Sequence, residues 1–348
     1  MDDQKSLSEI EKLRSAVEGA DLPSLLHEKA IEQIERINLA LRHGGNLSQL
    51  DITTKYIDWI TNLPWNKKTE DILDIAKAKI TLDKNHYGLQ KIKERILEYL
   101  SVLIIQKHTL KIEAVHAPTL LFMGLVGTGK TTLALSVAEA LGRKFVRIPF
   151  GGLSSALDLR GQSKTSSEAE PGMIIRAIRR AGVKNPVILL DELDRITPES
   201  RASIMGVLIE LLDAAQNMNF NDYFLDYPFD LSQVLFIATA NNTNDISTAV
   251  MDRLEVIQMP SYTDAEKIAI AKNFVLPRLL KETGLGLDNV QIDDAVWSRI
   301  TRPLGFDAGI RSLERTVEGI VRKVAYKIVS GQGQSFAVNE NNIREYLS

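Results

Sequence analysis

The run Gly124-Leu125-Val126-Gly127-Thr128-Gly129-Lys130-Thr131 has the glycine spacing and the closing Lys-Thr pair of a phosphate-binding loop. Glycines let the backbone curl until successive N–H groups point into one concavity. A helix that starts at the same place adds its positive dipole end. Lys130 is then placed to reach the β- and γ-phosphates of a nucleotide, and Thr131 to offer its hydroxyl to Mg²⁺. Gly124, Gly127, Thr128, Gly129 and Thr132 complete the expected cradle. A glycine turn alone could be accidental. Here the apolar run Pro118–Met123 precedes it and the helix-forming run Thr132–Leu141 follows, and that strand-turn-helix context is what the motif requires.

Hydrolysis of a nucleotide needs a partner for the metal and a group that orients the attacking water. Val187-Ile188-Leu189-Leu190-Asp191-Glu192 supplies both, as an apolar strand that delivers two acids at its carboxyl end. Asp191 is expected to hold Mg²⁺ through water, and Glu192 to act as general base. Standing alone, the pair would read as helix-capping acids; after a phosphate loop it reads as chemistry. A second apolar strand, Val234–Thr239, leads to Asn241, whose amide could hydrogen-bond the γ-phosphate or the attacking water. By itself Asn241 would read as a turn residue.

These residues need a scaffold, and the hydrophobic spacing outlines one. Leu7, Ile10, Leu13 and Val17, then Leu26, Ala30, Ile34, Ile37 and Leu41, fall at helical spacing around a break at Asp21-Leu22-Pro23, with Gly44-Gly45 ending the pair. A third helix is expected from the N-cap Ser48 to Ile60, stopped by Asn62-Leu63-Pro64-Trp65. Lys67–Ile80 reads as a charged connector with a short helix. His86-Tyr87-Gly88-Leu89 then opens a long helix lined by Leu89, Ile92, Ile96, Leu100 and Leu103. From Pro118 to Pro260 strands alternate with helices, with further strands at Phe145–Pro149 and Val256–Met259. The pattern predicts an α/β fold with a parallel sheet covered on both faces. Beyond Pro260 the strand signal nearly disappears. Thr263 and Glu266 form a capping box for a helix running to about Thr283 before Gly284, Asp293–Arg302 suggests a short helix, and Ile310–Ile328 a longer one closed by Gly331. The division expected is a helical segment at 1–66, an α/β domain at 67–260 and a small, mostly helical domain at 261–348.

Composition narrows the class. The chain has 348 residues, 44% hydrophobic and 25% charged, as in an ordinary globular protein of about two compact domains. A net charge of -3 gives no general electrostatic reason to expect nucleic acid or an acidic membrane as partner. The lack of cysteine removes disulfides, thiolate metal sites and cysteine nucleophiles. The charged N-terminus lacks the apolar core of a signal peptide, and no apolar run approaches the roughly 20 residues that span a bilayer, so a soluble cytoplasmic protein is expected.

Taken together, the phosphate loop, the Asp-Glu strand, the strand ending in Asn241, the stretch Met251–Ile257 and the helical tail resemble an AAA+ ATPase. More narrowly, HYGLQKIKERILEYLSV, LLDELDRI, DLSQVLFIATAN, DRLEVIQ, SYTDAEK and GIRSLER are similar, in the same order, to the ATPase module of Lon proteases, from about Pro23 onward. The resemblance implies ATP and Mg²⁺ as cofactors, a helical lid after the α/β domain, and a ring of six subunits. It carries Lys130 and Thr131 onto the phosphate and magnesium positions, Asp191 and Glu192 onto the metal and water-activating acids, and Asn241 onto the first sensor. It further implies that Arg253 is an arginine finger reaching a neighbour's site, that Arg311 is a second sensor on the lid, and that His86 and Tyr87 line the adenine pocket. Without it, Arg253 and Arg311 would read as surface salt-bridge residues.

The sequence departs from the family pattern in three places. It ends at Ser348, so the family's Ser-Lys peptidase is expected to be absent from this chain. Most of the family's N-terminal substrate-binding domain is likewise expected to be absent from this chain, leaving only its last helices. Where the family carries an aromatic-aliphatic pair that grips polypeptide, this chain reads Thr165-Ser166-Ser167-Glu168-Ala169-Glu170-Pro171-Gly172. Ser166 and Ser167 offer little apolar area, and the two glutamates would place negative charge around the ring; losing an aromatic grip removes about a kcal/mol or more per subunit. The leading expectation is an oligomeric Mg²⁺-dependent ATPase that remodels or regulates a protein partner. The alternatives are a nucleotide-switched scaffold with little turnover and a fragment of an ATP-dependent serine protease.

Overall fold

The computed structural model describes residues 2–43, 47–110, 114, 117–165, 168–302 and 309–347. In chain order its strands are β1 (Thr119–Met123), β2 (Phe145–Pro149), β3 (Val187–Asp191), β4 (Phe220–Asp222), β5 (Tyr227–Phe229), β6 (Leu235–Ala240), β7 (Leu254–Gln258), β8 (Val290–Ile292) and β9 (Phe336–Val338). Five of them form the central sheet in the order β2-β3-β6-β1-β7, with every pairing parallel.

Alternation along the strands decides which face each residue serves. Leu120 and Phe122 of β1, with Val187 and Leu189 of β3, enter one core, closed by the helices Ile75–Asn85, Gln90–Thr109 and Lys130–Leu141. Leu121, Ile188 and Leu190 point to the other face, against the helices Met173–Ala181 and Pro198–Leu211. Continuous apolar runs are what a parallel sheet buried on both faces needs, and the expected α/β architecture is what the chain adopts.

The N-terminal helices are Asp2–Glu18, Ser24–Arg42 and Leu47–Thr61, broken at Leu22-Pro23 as the spacing indicates. The third helix is described from Leu47, one residue before Ser48; Gly44 and Gly45 lie outside the described residues. This segment shares a core with the sheet. Tyr56 and Trp59 pack on Phe224, and Trp65 on Tyr227 and Phe229. Tyr56 also donates its hydroxyl hydrogen to Leu225 O (3.1 Å). The landing place is the antiparallel hairpin β4-β5, which the sequence does not announce because three-residue strands are too short to show a period of two.

Beyond β7 a third core forms around the buried Trp297. Its first helix, Asp264–Ile270, starts at the expected capping box: Thr263 Oγ1 accepts from Glu266 N and Glu266 Oε2 accepts from Thr263 N. The helical path then loosens into a π turn at Ala271–Val275 before Leu276–Thr283. Pro277 follows that turn and has no N–H to donate, which is a usual cause of such a defect. Gly284 closes the helix at φ 73°. The short parallel pair β8-β9, largely invisible in the sequence, ties the tail to this unit, and the helix Arg311–Val329 crosses it.

Candidate nucleotide site

β1 ends at Met123 and the loop turns over its edge into the helix Lys130–Leu141. Gly127 and Gly129 take φ of 81° and 93°, the left-handed region where a side chain is strained. Gly124 is needed for space: a Cβ there would lie 2.7 Å from Met259 O. Thr128 Oγ1 donates to Leu125 O (2.9 Å) and Thr132 Oγ1 to Gly129 O (2.9 Å), which tie the turn together. Thr131 stands exposed in the first turn of the helix. Lys130 folds back over the loop, its Nζ donating to Gly124 O (2.5 Å), Leu125 O (3.0 Å) and Asn241 Oδ1 (3.0 Å). Burial holds its pKa below the ordinary lysine value, opposed by the carboxylates of Asp194, Asp191 and Glu192.

β3 and β6 are paired with Leu190 opposite Ala238, which brings Asp191 beside Thr239. Thr239 donates its hydroxyl to Asp191 Oδ1 and accepts from the Glu192 N–H (2.8 Å), so one buried threonine orients both acids. Arg147, on β2, donates Nε to Asp191 Oδ2 (2.5 Å). Glu192 adopts φ 61°, ψ 53°, and its carboxylate lies 3.6 Å from Arg195 Nε. Asn241, one residue past β6, donates Nδ2 to Asp194 Oδ2 (3.1 Å). The structure therefore gathers Lys130, Asp191, Glu192 and Asn241 at the carboxyl edge of neighbouring strands.

Asp191 and Thr131 present hard oxygen donors, the kind Mg²⁺ takes, and Asp191 Oδ2 already carries a cationic partner in Arg147. A bound Mg²⁺ would compete with Arg147 for that oxygen.

The C-terminal unit reaches the loop directly. Ile310 N donates to Gly127 O (3.0 Å), and a Cβ on Gly309 would fall 2.5 Å from Val126 O, so only glycine allows this approach. Arg311 begins the next helix with its backbone over Gly127. Tyr262 donates its hydroxyl to Thr128 O (3.1 Å), and burial, with Glu266 nearby, pushes its pKa up to about 12.

His86 is turned into the helix behind the loop. Its Nε2 shares a hydrogen bond with Ser136 Oγ (2.8 Å), and its carbonyl accepts from Lys93 Nζ (2.6 Å). Burial, then the Lys93 charge, lowers its pKa to about 4, so the ring is neutral at pH 7. Tyr87 is partly exposed beside it. Arg253 is not at this edge. It precedes β7 at the opposite end of the sheet, a strand of five residues away, or about 16 Å. There Nη2 donates to Asp213 Oδ2 (3.0 Å) and Nη1 to Ala249 O (2.8 Å).

Ser166 and Ser167 lie outside the described residues. At the base of their loop Ala169 is buried and Glu170 pairs with Lys55 Nζ (2.6 Å), which offsets part of the Glu170 charge. Gly161 and Gly172 meet at the buried Asp222, which accepts from Gly172 N (2.7 Å).

Sequence reasoning did not single out Thr239, Arg147, Asp194, Tyr262 or Gly309. Signals existed for two of them: Thr239 lies in the strand that leads to Asn241, and Asp194 follows Asp191 by three residues in Asp191-Glu192-Leu193-Asp194. The pairing of Arg147 with Asp191 depends on which strands are neighbours.

The model of the ATPase family associated with various cellular activities (AAA) matches residues 120–262, and that of the Lon protease AAA+ ATPase lid domain matches residues 281–336. The chain is 43% identical over 339 residues to the Lon protease of Lawsonia intracellularis, covering 97% of this chain and 40% of that protein. It is 41% identical over 345 residues to Lon protease 2 of Thermus thermophilus, covering 97% and 42%. With the Lon protease of Heliobacterium modesticaldum it shares 41% over 340 residues, covering 98% and 41%. The chain thus spans about two fifths of the length of these relatives.

Proposed function

We propose that this chain, which belongs to the AAA ATPase family and carries the Lon-type lid, binds ATP with Mg²⁺ and hydrolyses it as one subunit of a hexameric ring in the cytoplasm. The observation that carries the reading is the convergence of Lys130, Asp191, Glu192 and Asn241 on one strand edge, linked by Thr239 and closed over by Gly309–Arg311. We divide the chain into a helical segment at 1–66, the α/β ATPase domain at 67–260 and the lid at 261–348.

In this reading the loop N–H groups and Lys130 bind the phosphates. Lys130 must exchange Gly124 O and Asn241 Oδ1 for phosphate oxygens, which frees Asn241 to face the terminal phosphate. Thr131 and Asp191 would hold Mg²⁺, which when bound neutralises charge on the phosphate oxygens. Glu192 takes the proton of the attacking water. Gly309 and Ile310 bring Arg311 over the phosphate end, and Tyr262 braces the loop from the lid side. The His86–Leu89 turn, pinned to the loop's helix through Ser136, borders the expected adenine position with Tyr87. Arg253 lies too far from its own loop to serve it, which supports a role at a neighbour's site. No helix among the described residues is long and apolar enough to cross a membrane.

Steady-state ATP turnover across protein concentration tests the reading: activity per subunit should rise with concentration, and a flat profile would overturn the shared site. What the energy acts on is a separate matter. The polar stretch Ser166–Glu170 favours remodelling or regulation of a protein partner over strong threading of apolar polypeptide. ATP-driven unfolding of a tagged model protein should accordingly be weak, and robust unfolding by this chain would reverse that part.

A further inference from the structure

We infer that Asp194 is a positioning residue for Asn241: its carboxylate fixes which way the Asn241 amide faces, and so which atoms meet the γ-phosphate end of the site. This deepens the ATPase reading and rests on it.

Asp194 sits in the short 3-10 segment Leu193–Arg195, directly after the left-handed residue Glu192. Its Oδ2 accepts from Asn241 Nδ2 (3.1 Å) and from Asn242 Nδ2 (3.4 Å). Its Oδ1 is buried and takes no hydrogen bond among the described residues. On the other side, Asn241 Oδ1 accepts from Lys130 Nζ (3.0 Å). A carboxylate only accepts and an ammonium only donates. Exchanging the amide oxygen and nitrogen would therefore set acceptor against acceptor at Asp194 and donor against donor at Lys130. The two partners demand the same orientation.

They do not persist equally. Once Lys130 turns to phosphate, its claim on Asn241 Oδ1 ends, and Asp194 alone holds the amide. The second hydrogen of Nδ2 and the freed Oδ1 are then presented to the phosphate and the water in one fixed arrangement. Replacing the carboxylate with an amide of the same shape, Asp194→Asn, removes this control, because an amide satisfies Asn241 in either orientation. The turn itself does not depend on the carboxylate, whose hydrogen bonds among the described residues go to the two asparagines.

The test uses the full chain with Asp194→Asn, Asn241→Ala and the double variant. In the nucleotide-free protein the side-chain amide ¹⁵N signal of Asn241, identified by its loss in Asn241→Ala, should move in Asp194→Asn; an unmoved signal overturns the proposal whether or not the protein turns over ATP. With ATP, Asp194→Asn should lower kcat about 10- to 100-fold while KM stays within about threefold. In the Asn241→Ala background the same change should alter kcat by less than about twofold, the scatter expected of non-interacting sites. Multiplicative losses would show that Asp194 acts through another group. A parent chain that hydrolyses no ATP would sink the ATPase reading instead, and the amide signal would still judge the positioning role.

Discussion

Glu192 directly follows a strand buried on both faces, its N–H on Thr239 Oγ1 and its backbone in the left-handed region, so the start of its side chain is fixed. Glu192→Gln keeps that shape and removes the proposed base: ATP affinity should stay within about threefold while turnover falls at least about 100-fold, in nucleotide titration and steady-state assays. His86 makes a pH-dependent contribution. Its pKa is lowered to about 4 in the folded chain against 6.5 for an ordinary histidine, so on acidification the unfolded state takes the proton first. The stability given by the neutral ring is whole above pH 6.5 and is lost as pH falls toward 4, about 3 kcal/mol over that window. Denaturant titrations from pH 7 to 4 should show that loss and show it reduced in His86→Gln. Parallel pH profiles for the two proteins would contradict the assignment. The residue types of the loop and the acids were legible because each does one chemical task at fixed spacing. The His86–Ser136 contact was not, since 50 residues separate the partners.

At the scale of elements, the central strands were legible to within one or two residues because apolar runs and glycine turns mark them. The hairpin β4-β5 and the pair β8-β9 were not, since strands of three residues carry no period. The lid contact was also hidden: nothing local in Gly309-Ile310-Arg311 says that the glycine will press on Gly127. Gly309→Ala places a methyl group 2.5 Å from Val126 O and should force the Ile310 N to Gly127 O bond apart. Losing about 1 kcal/mol there corresponds to about fivefold weaker nucleotide binding. Isothermal titration would measure it, and unchanged affinity would mean that lid and loop are not coupled through this contact.

For the whole molecule, the position of Arg253 at the far end of the sheet matters most. In the single chain its guanidinium is held by Asp213 and Ala249 O, away from the loop it would serve in an assembly. Arg253→Ala should leave nucleotide binding intact and lower turnover about 10³- to 10⁵-fold, as loss of an arginine finger does. Equal turnover would place the active site within one chain. The sequence by itself determined the nucleotide chemistry, the parallel α/β scaffold and the helical units before and after it, because glycine spacing, apolar periodicity and capping pairs are local signals. Only the tertiary structure decided that Thr239 orients both acids, that Arg147 reaches Asp191, that Asp194 holds Asn241 and that Gly309 seats the lid on the loop. Those contacts follow from strand order and from the docking of distant segments, and no short-range pattern encodes either.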